Sequence, residues 1–291
     1  MTATPPKNAP KNVALFKGPT VVRYRDASRF LWGDAGSGEV ADVIYGRNEI
    51  LGTLIFKLRP GACFTSSDTW KAFFDQHRFY YVLKGQITVK DPGSGEVAVA
   101  DVGEAVHWRG AKWHFGYNFT DEECVVLDWY APQERPPHVS ELEFGATKPA
   151  FHTERAGRSD LLGRWPDALD AVRGEARRTG GMVTASKRDA LNFVHGRERP
   201  VLESLFVSTA ELTAGVVDLV AGAHSENRSH PSDKVIFVTA GKLHVYLPDS
   251  FDWFELDEWD LLYLPPGTQH QYWNYTERPA SFAFMVVPRY E

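Results

Sequence analysis

The chain has 291 residues, with 32 Lys and Arg against 38 Asp and Glu and a formal net charge of −6. That length suits two domains of about 100–150 residues each, and 43% apolar residues can fill two cores. The charges include no basic block, which argues against a nucleic-acid partner; no apolar run approaches the ~20 residues of a membrane span.

Residues 1–29 read as an arm. Three prolines lie in its first ten residues, and there is no apolar stretch of the secretory kind, so a cytoplasmic address is expected. Residues 30–132 form a first β block. Short apolar runs such as LGTLIFKLRPG and CVVLDWYAP alternate with turn signals, and DPGSG at Asp91–Gly95 marks a hairpin. Residues 133–199 read as a linker with short helices, because Leu161, Leu162, Trp165, Leu169 and Val172 follow a helical period. Residues 200–291 form a second β block. Cys63 and Cys124 are too few for a disulfide scaffold and read as small buried hydrophobes.

The two β blocks repeat one another. VLKGQITV at 82–89 aligns with VTAGKLHV at 238–245, Gly85 with Gly241, His114 with His270, Asn118 with Asn274 and Pro132 with Pro288, each pair 156 residues apart. Five landmarks in one register point to duplication of a β unit.

The repeat resembles the cupin superfamily. GEAVHWRGAKWHFGYN (Gly103 to Asn118) and WDLLYLPPGTQHQYWN (Trp259 to Asn274) are similar to its second motif, and GAHSENRSHPSDKVIFVTAG (Gly222 to Gly241) to its first. The resemblance implies an all-β bicupin: two tandem double-stranded β-helix (jelly-roll) barrels joined by the partly helical linker. It also implies a metal site, but the ligand pattern is degenerate. In the second block His230 and His270 hold ligand positions, while Arg228 stands at a histidine position and Lys234 at the glutamate position. In the first block only His114 is kept, with Ala72, Phe74 and Arg78 at the other positions.

The residues suggest chemistry in their own right. A PPG turn reverses the chain tightly and can deliver His270 onto a strand. Alternate residues on an extended strand share a face, which puts Arg228 and His230 together, and Glu226 with them if the strand reaches that far. His230 and His270, completed by Glu226 or His224, would make a set for iron, with manganese, nickel or zinc as alternatives, or no metal at all. Arg228 and Lys234 suit an anionic ligand. Trp108, Trp113, His114, Tyr117 and Trp273 are candidates to line an aromatic substrate pocket, against core packing as the plainer role.

Three functions are open on this reading. The first is a metal-dependent enzyme, a dioxygenase for choice, acting on a small organic acid or aromatic compound. The second is a metal-free lyase or isomerase with His230 and His270 as acid and base and Lys234 or Arg228 holding an oxyanion. The third is a non-catalytic small-molecule binding protein. The expected partner is a small anionic or aromatic molecule and, through sheet edges, a second copy of the chain in a homodimer. P-loop, H-E-x-x-H, G-x-S-x-G and dinucleotide-binding patterns do not occur.

Overall fold

The computed structural model describes residues 13–74, 76–93, 95–109, 112–131 and 181–290. Strands dominate them, and the helical content among the described residues is a single 3-10 turn, Tyr24–Asp26. The helix expected over 160–178 falls outside the described residues. Two compact units emerge: a C-terminal unit of residues 13–31, 41–55 and 192–290, and an N-terminal unit of residues 32–40, 56–131 and 181–191.

In the C-terminal unit a seven-stranded sheet runs in the order Leu191–His195, Val201–Ser208, Thr213–Leu219, Ala280–Val287, Asp233–Ala240, Leu261–Leu264 and Thr20–Val22. A three-stranded sheet of Asp252–Leu256, Leu243–Leu247 and Gln271–Trp273 packs against it. Ile236, Val238, Phe282 and Phe284 from the first sheet meet Val245 and Tyr272 from the second in one buried cluster. The central strand is a nearly continuous apolar run, VIFVTA, as a strand covered on both faces requires.

The expected closed barrels are not formed. Each sheet hydrogen-bonds within itself, and the segment 220–232 that leads between strands of the large sheet meets residues 270–274 only through the isolated bridges His224↔Trp273 and Arg228↔His270 and single backbone bonds such as Ser225 N–H to the Tyr272 carbonyl. In the C-terminal unit the PPG turn makes one such break. Pro265 and Pro266 have no N–H to continue a ladder, and Gly267 turns the chain at φ +77°. Leu264 therefore ends a strand of the large sheet and Gln271 begins one of the small sheet.

The N-terminal unit repeats this plan. Cys124–Ala131, His77–Lys84, Ala105–Trp108 and Val183–Ala185 pair in that order; Val97–Asp101, Gln86–Lys90, Phe115–Tyr117 and Cys63–Phe64 form a second sheet. The duplication is visible in geometry. Gly85 and Gly241 turn at φ +70° and +74°, and a Cβ on either would lie 2.7 Å from the Glu123 carbonyl or 2.5 Å from the Pro279 carbonyl. Gly103 and Trp259, also equivalent, both adopt positive φ. Asn118 and Asn274 each donate to three backbone carbonyls, among them those of Glu122 and Arg278.

Candidate functional site

Four of the residues singled out by sequence converge in the C-terminal unit. The PPG turn brings His270 opposite Arg228, whose backbone N–H and C=O pair with it at 3.0 and 2.8 Å. Gly267 N–H donates to the His230 carbonyl at 2.7 Å, so the same turn fixes His230. Lys234 lies on the central strand between Leu264 and Val286. All four are buried: Arg228 at 7% exposure, His230 at 5%, Lys234 at 2% and His270 at 1%.

The hydrogen bonds define the tautomers. His230 Nδ1 lies 2.7 Å from the Tyr290 carbonyl and His270 Nδ1 lies 2.9 Å from the Thr268 carbonyl. A carbonyl can only accept, so each Nδ1 carries the proton and each Nε2 presents a lone pair. Both lone pairs meet the Lys234 amine, Nζ being 3.0 Å from His230 Nε2 and 3.5 Å from His270 Nε2. Nζ also donates to the Tyr272 hydroxyl at 2.5 Å. That hydroxyl lies 3.3 Å from His270 Nε2, so amine, phenol and two imidazoles form one proton-sharing group.

A second set of polar groups adjoins the first. Arg228 pairs with Glu203, which is fully buried, and donates to the Tyr290 hydroxyl at 2.7 Å. The same hydroxyl donates to Glu203 at 2.5 Å. Arg228 Nε has no hydrogen-bond partner among the described residues.

Burial sets the charge states. It pulls His230 down to about 2, with Lys234 as the next cause, and moves His270 well below its ordinary range for the same two reasons. Both imidazoles are therefore neutral at pH 7. The Lys234 amine is also pulled well down, by burial and then by Arg228. Burial opposes ionisation of Glu203, but Arg228 outweighs it and holds the carboxyl below its ordinary value.

A divalent metal ion does not fit this donor set. An ion bound by both imidazoles would sit about 2.1 Å from each Nε2, in the place that the lysine nitrogen takes. The nitrogen and the ion cannot share that place, and a protonated nitrogen displaced to about 3 Å would repel a divalent ion by on the order of 10 kcal/mol even at an effective dielectric constant of about 20. Glu203, the buried carboxylate nearby, is committed to Arg228 and Tyr290. Among the described residues no group of three or more His, Cys, Asp or Glu side chains is placed to hold a metal ion.

Glu226 and His224 lie apart from this centre. Residues 222–232 are largely irregular, so strand alternation does not carry Glu226 inward. Its carboxylate instead accepts the backbone N–H groups of Arg197 and Glu198 at 2.6 and 2.8 Å. His224 stacks on Trp273 at 3.7 Å and takes a hydrogen bond from Arg199. Trp273 also stacks on Tyr275.

In the N-terminal unit Arg78 occupies the strand position equivalent to Lys234, opposite Trp108 and Tyr130. It makes a buried 2.5 Å ion pair with Asp128 and lies over the Phe74 ring at 3.9 Å. His114 accepts from or donates to the Tyr80 hydroxyl at 3.0 Å and packs against Trp108, whose ring centroid is 4.8 Å away. Trp113 packs on Phe73, and Tyr117 stacks on Phe119. Of the aromatic candidates, Trp108, Trp113 and His114 are thus core residues.

Sequence reasoning missed Glu203, Tyr272 and Tyr290. Tyr272 was within reach, being two residues beyond His270 and on the same strand face. Glu203 was hidden by a reversed alternation: it is buried while its neighbour Leu202 is 44% exposed. Nothing in the sequence marks Tyr290.

The comparisons with known proteins agree with this architecture. A family model described as "Cupin domain" matches residues 215–287. No curated protein matches the chain. Among solved structures, the YlbA protein from E. coli superposes with a TM-score of 0.62 at 10% identity, covering 93% of this chain and 90% of that one. A putative glyoxylate-induced protein from Pseudomonas aeruginosa gives 0.64 at 12% identity, covering 96% and 92%. A formate complex of oxalate decarboxylase from Lactobacillus farciminis gives 0.60 at 15% identity, covering 93% and 87%. The cupin match lies within the C-terminal unit, and the chain as a whole shares its fold with these solved structures.

Proposed function

We propose that the chain is a bicupin enzyme acting on a small organic acid by metal-independent proton transfer, as a lyase or isomerase, with its centre in the C-terminal unit. The observation that carries this reading is the convergence of two neutral imidazole lone pairs, a buried amine and a phenol on one point, beside a buried arginine. The Arg228 guanidinium suits a substrate carboxylate, which would take the place of the Tyr290 phenol. His230 or His270 Nε2 would remove a proton from a carbon next to a carbonyl or carboxyl group. The electron pair of that C–H bond moves into the adjacent π system, and Lys234 and Tyr272 donate to the oxygen that gains charge. Returning the proton to another carbon completes an isomerisation without redox change. The likeness to an oxalate decarboxylase crystallised with formate supports the choice of a small carboxylate. A dioxygenase reading lacks a donor set for its metal among the described residues.

The test is proton exchange. Chelator-treated protein incubated in D2O with a panel of 2-oxo acids and unsaturated dicarboxylates should incorporate deuterium into one of them, followed by proton NMR. Exchange that requires added metal, or that persists in Lys234→Met/His270→Ala, would overturn the reading.

One observation favours a second reading, a filled and non-catalytic core: the centre is covered by Tyr290, and its polar atoms other than Arg228 Nε are mutually paired. In that case Lys234→Met would be neutral or stabilising, as replacement of a buried polar group by an apolar one of similar shape can be, and no carboxylate would shift the melting temperature.

A further inference from the structure

The two histidines of the C-terminal centre are arranged as metal ligands are, yet they face a lysine. Each Nδ1–H is tied to a backbone carbonyl, the outer contact that commonly orients a ligating imidazole and leaves Nε2 free to bind. The ring centroids are 6.0 Å apart, and the lone pairs converge on the Lys234 nitrogen. The carbon stem of Lys234 descends from the central strand, so a shorter side chain at this position ends near the same point. Glutamate has two methylenes to lysine's four, its oxygens end one atom short of the position of Nζ, and it carries two oxygen donors.

We infer that the Lys234 amine stands in for a divalent metal ion, and that Lys234→Glu alone converts the centre into a transition-metal site of two imidazoles and one carboxylate. Such a set, with positions left for water, suits iron(II), cobalt(II) or manganese(II). The converted site also removes the cation that would repel the metal, and Tyr272, freed from Nζ, can donate to the new carboxylate. The neighbouring charges of Arg228 and Glu203 are paired and offset one another near the converted site. In the N-terminal unit the equivalent cation, Arg78, is paired with the acid Asp128, and the imidazole of His114 is bonded instead to the Tyr80 hydroxyl. The same conversion there supplies no second imidazole.

The inference concerns the same centre as the proposed function but is read without turnover, so an inactive protein leaves it standing and a metal-free enzyme does not prove it. The probe is cobalt(II), followed by its visible d–d absorption and by metal analysis after desalting. Wild type should retain less than about a tenth of an equivalent, and Lys234→Glu about one equivalent with new d–d bands, as expected when a ligand set is completed. Lys234→Glu/His270→Ala should lose at least about tenfold in affinity. A folded Lys234→Glu variant that binds no cobalt overturns the inference. So does a wild-type protein that binds one equivalent in a manner abolished by His270→Ala. Should Lys234→Glu not fold, Lys234→His, which offers a third imidazole, is judged by the same outcomes. Nitrogen NMR of wild-type histidines gives a check that needs no variant. His230 and His270 signals should stay Nδ1-protonated and unbroadened when cobalt is added, and broadening of both contradicts the inference.

Discussion

The two halves of the chain place a buried cation at the same strand position and surround it differently. In the N-terminal unit Arg78 has a carboxylate partner, Asp128, and aromatic rings on either side, Phe74 and Tyr130. In the C-terminal unit the acid partner, Glu203, belongs to Arg228, and Lys234 is left facing two imidazoles and a phenol. An arginine in a salt bridge holds structure, since its proton does not leave at any ordinary pH. A lysine with its proton weakened by burial, set among neutral bases, can give and take one. The backbone plan is common to both units; the neighbours of one residue differ, and on the proposed function that difference puts the chemistry in the C-terminal unit.

The largest expected effect breaks that comparison at its centre. Lys234→Met should lower deuterium exchange by about 100-fold or more, the contribution typical of a positioned acid or base. Arg78→Met in the other unit should leave exchange within about threefold once folding is confirmed by circular dichroism, because any loss acts only through stability. Equal losses would erase the distinction between the halves.

The next effect tests the acid partners. Glu203→Gln strands Arg228, and Asp128→Asn strands Arg78; breaking a buried pair by removing one partner costs about 3–5 kcal/mol. Chemical denaturation should place both variants in that range. Glu203→Gln should in addition tighten carboxylate binding, because it removes the anion that occupies Arg228, while Asp128→Asn should leave it unchanged.

Stability against pH follows from the histidines. His230 is pulled to about 2 in the folded protein by burial and then Lys234, against an ordinary 6.5. The unfolded chain thus binds the proton first as pH falls, and stability present above about 6.5 is lost toward 2. Each such histidine contributes a slope of about 1.4 kcal/mol per pH unit. Asp128 has the opposite sign: burial, only partly offset by Arg78, raises it to about 6, so the folded state gains on acidification between about 4 and 6. Denaturation midpoints measured from pH 7.5 to 5 should fall for wild type and fall more steeply for Asp128→Asn.

The smallest effect concerns the covering residue. Tyr290→Phe removes hydrogen bonds to Arg228 and Glu203 and should cost about 1–3 kcal/mol of stability. It should also tighten carboxylate binding at Arg228, measurable by calorimetry with formate and oxalate.

How much of this was legible in the sequence depended on whether the signal was local. The PPG turn and the glycine landmarks require special backbone geometry, and that requirement is written in residue type; so the duplication and the meeting of Arg228, His230, Lys234 and His270 could be anticipated. Glu226 was expected inward only if the strand reached that far, and residues 222–232 are largely irregular, so alternation does not carry it there. The expectation of closed barrels failed because repeated strands and turns specify facing sheets as readily as a ring, and prolines at the corner interrupt the ladder. Glu203 was illegible because its partner lies 25 residues away, where pairing rather than pattern compensates for its burial.

The central claim is that the C-terminal unit carries the functional centre. The matched pair His270→Ala and His114→Ala tests it most directly, since the two residues occupy equivalent positions in the repeat. With deuterium incorporation into the best carboxylate substrate as the readout and folding confirmed for both, His270→Ala should lose about 100-fold or more and His114→Ala less than about tenfold. A collapse confined to His114→Ala, or wild-type rates in His270→Ala, would contradict the account.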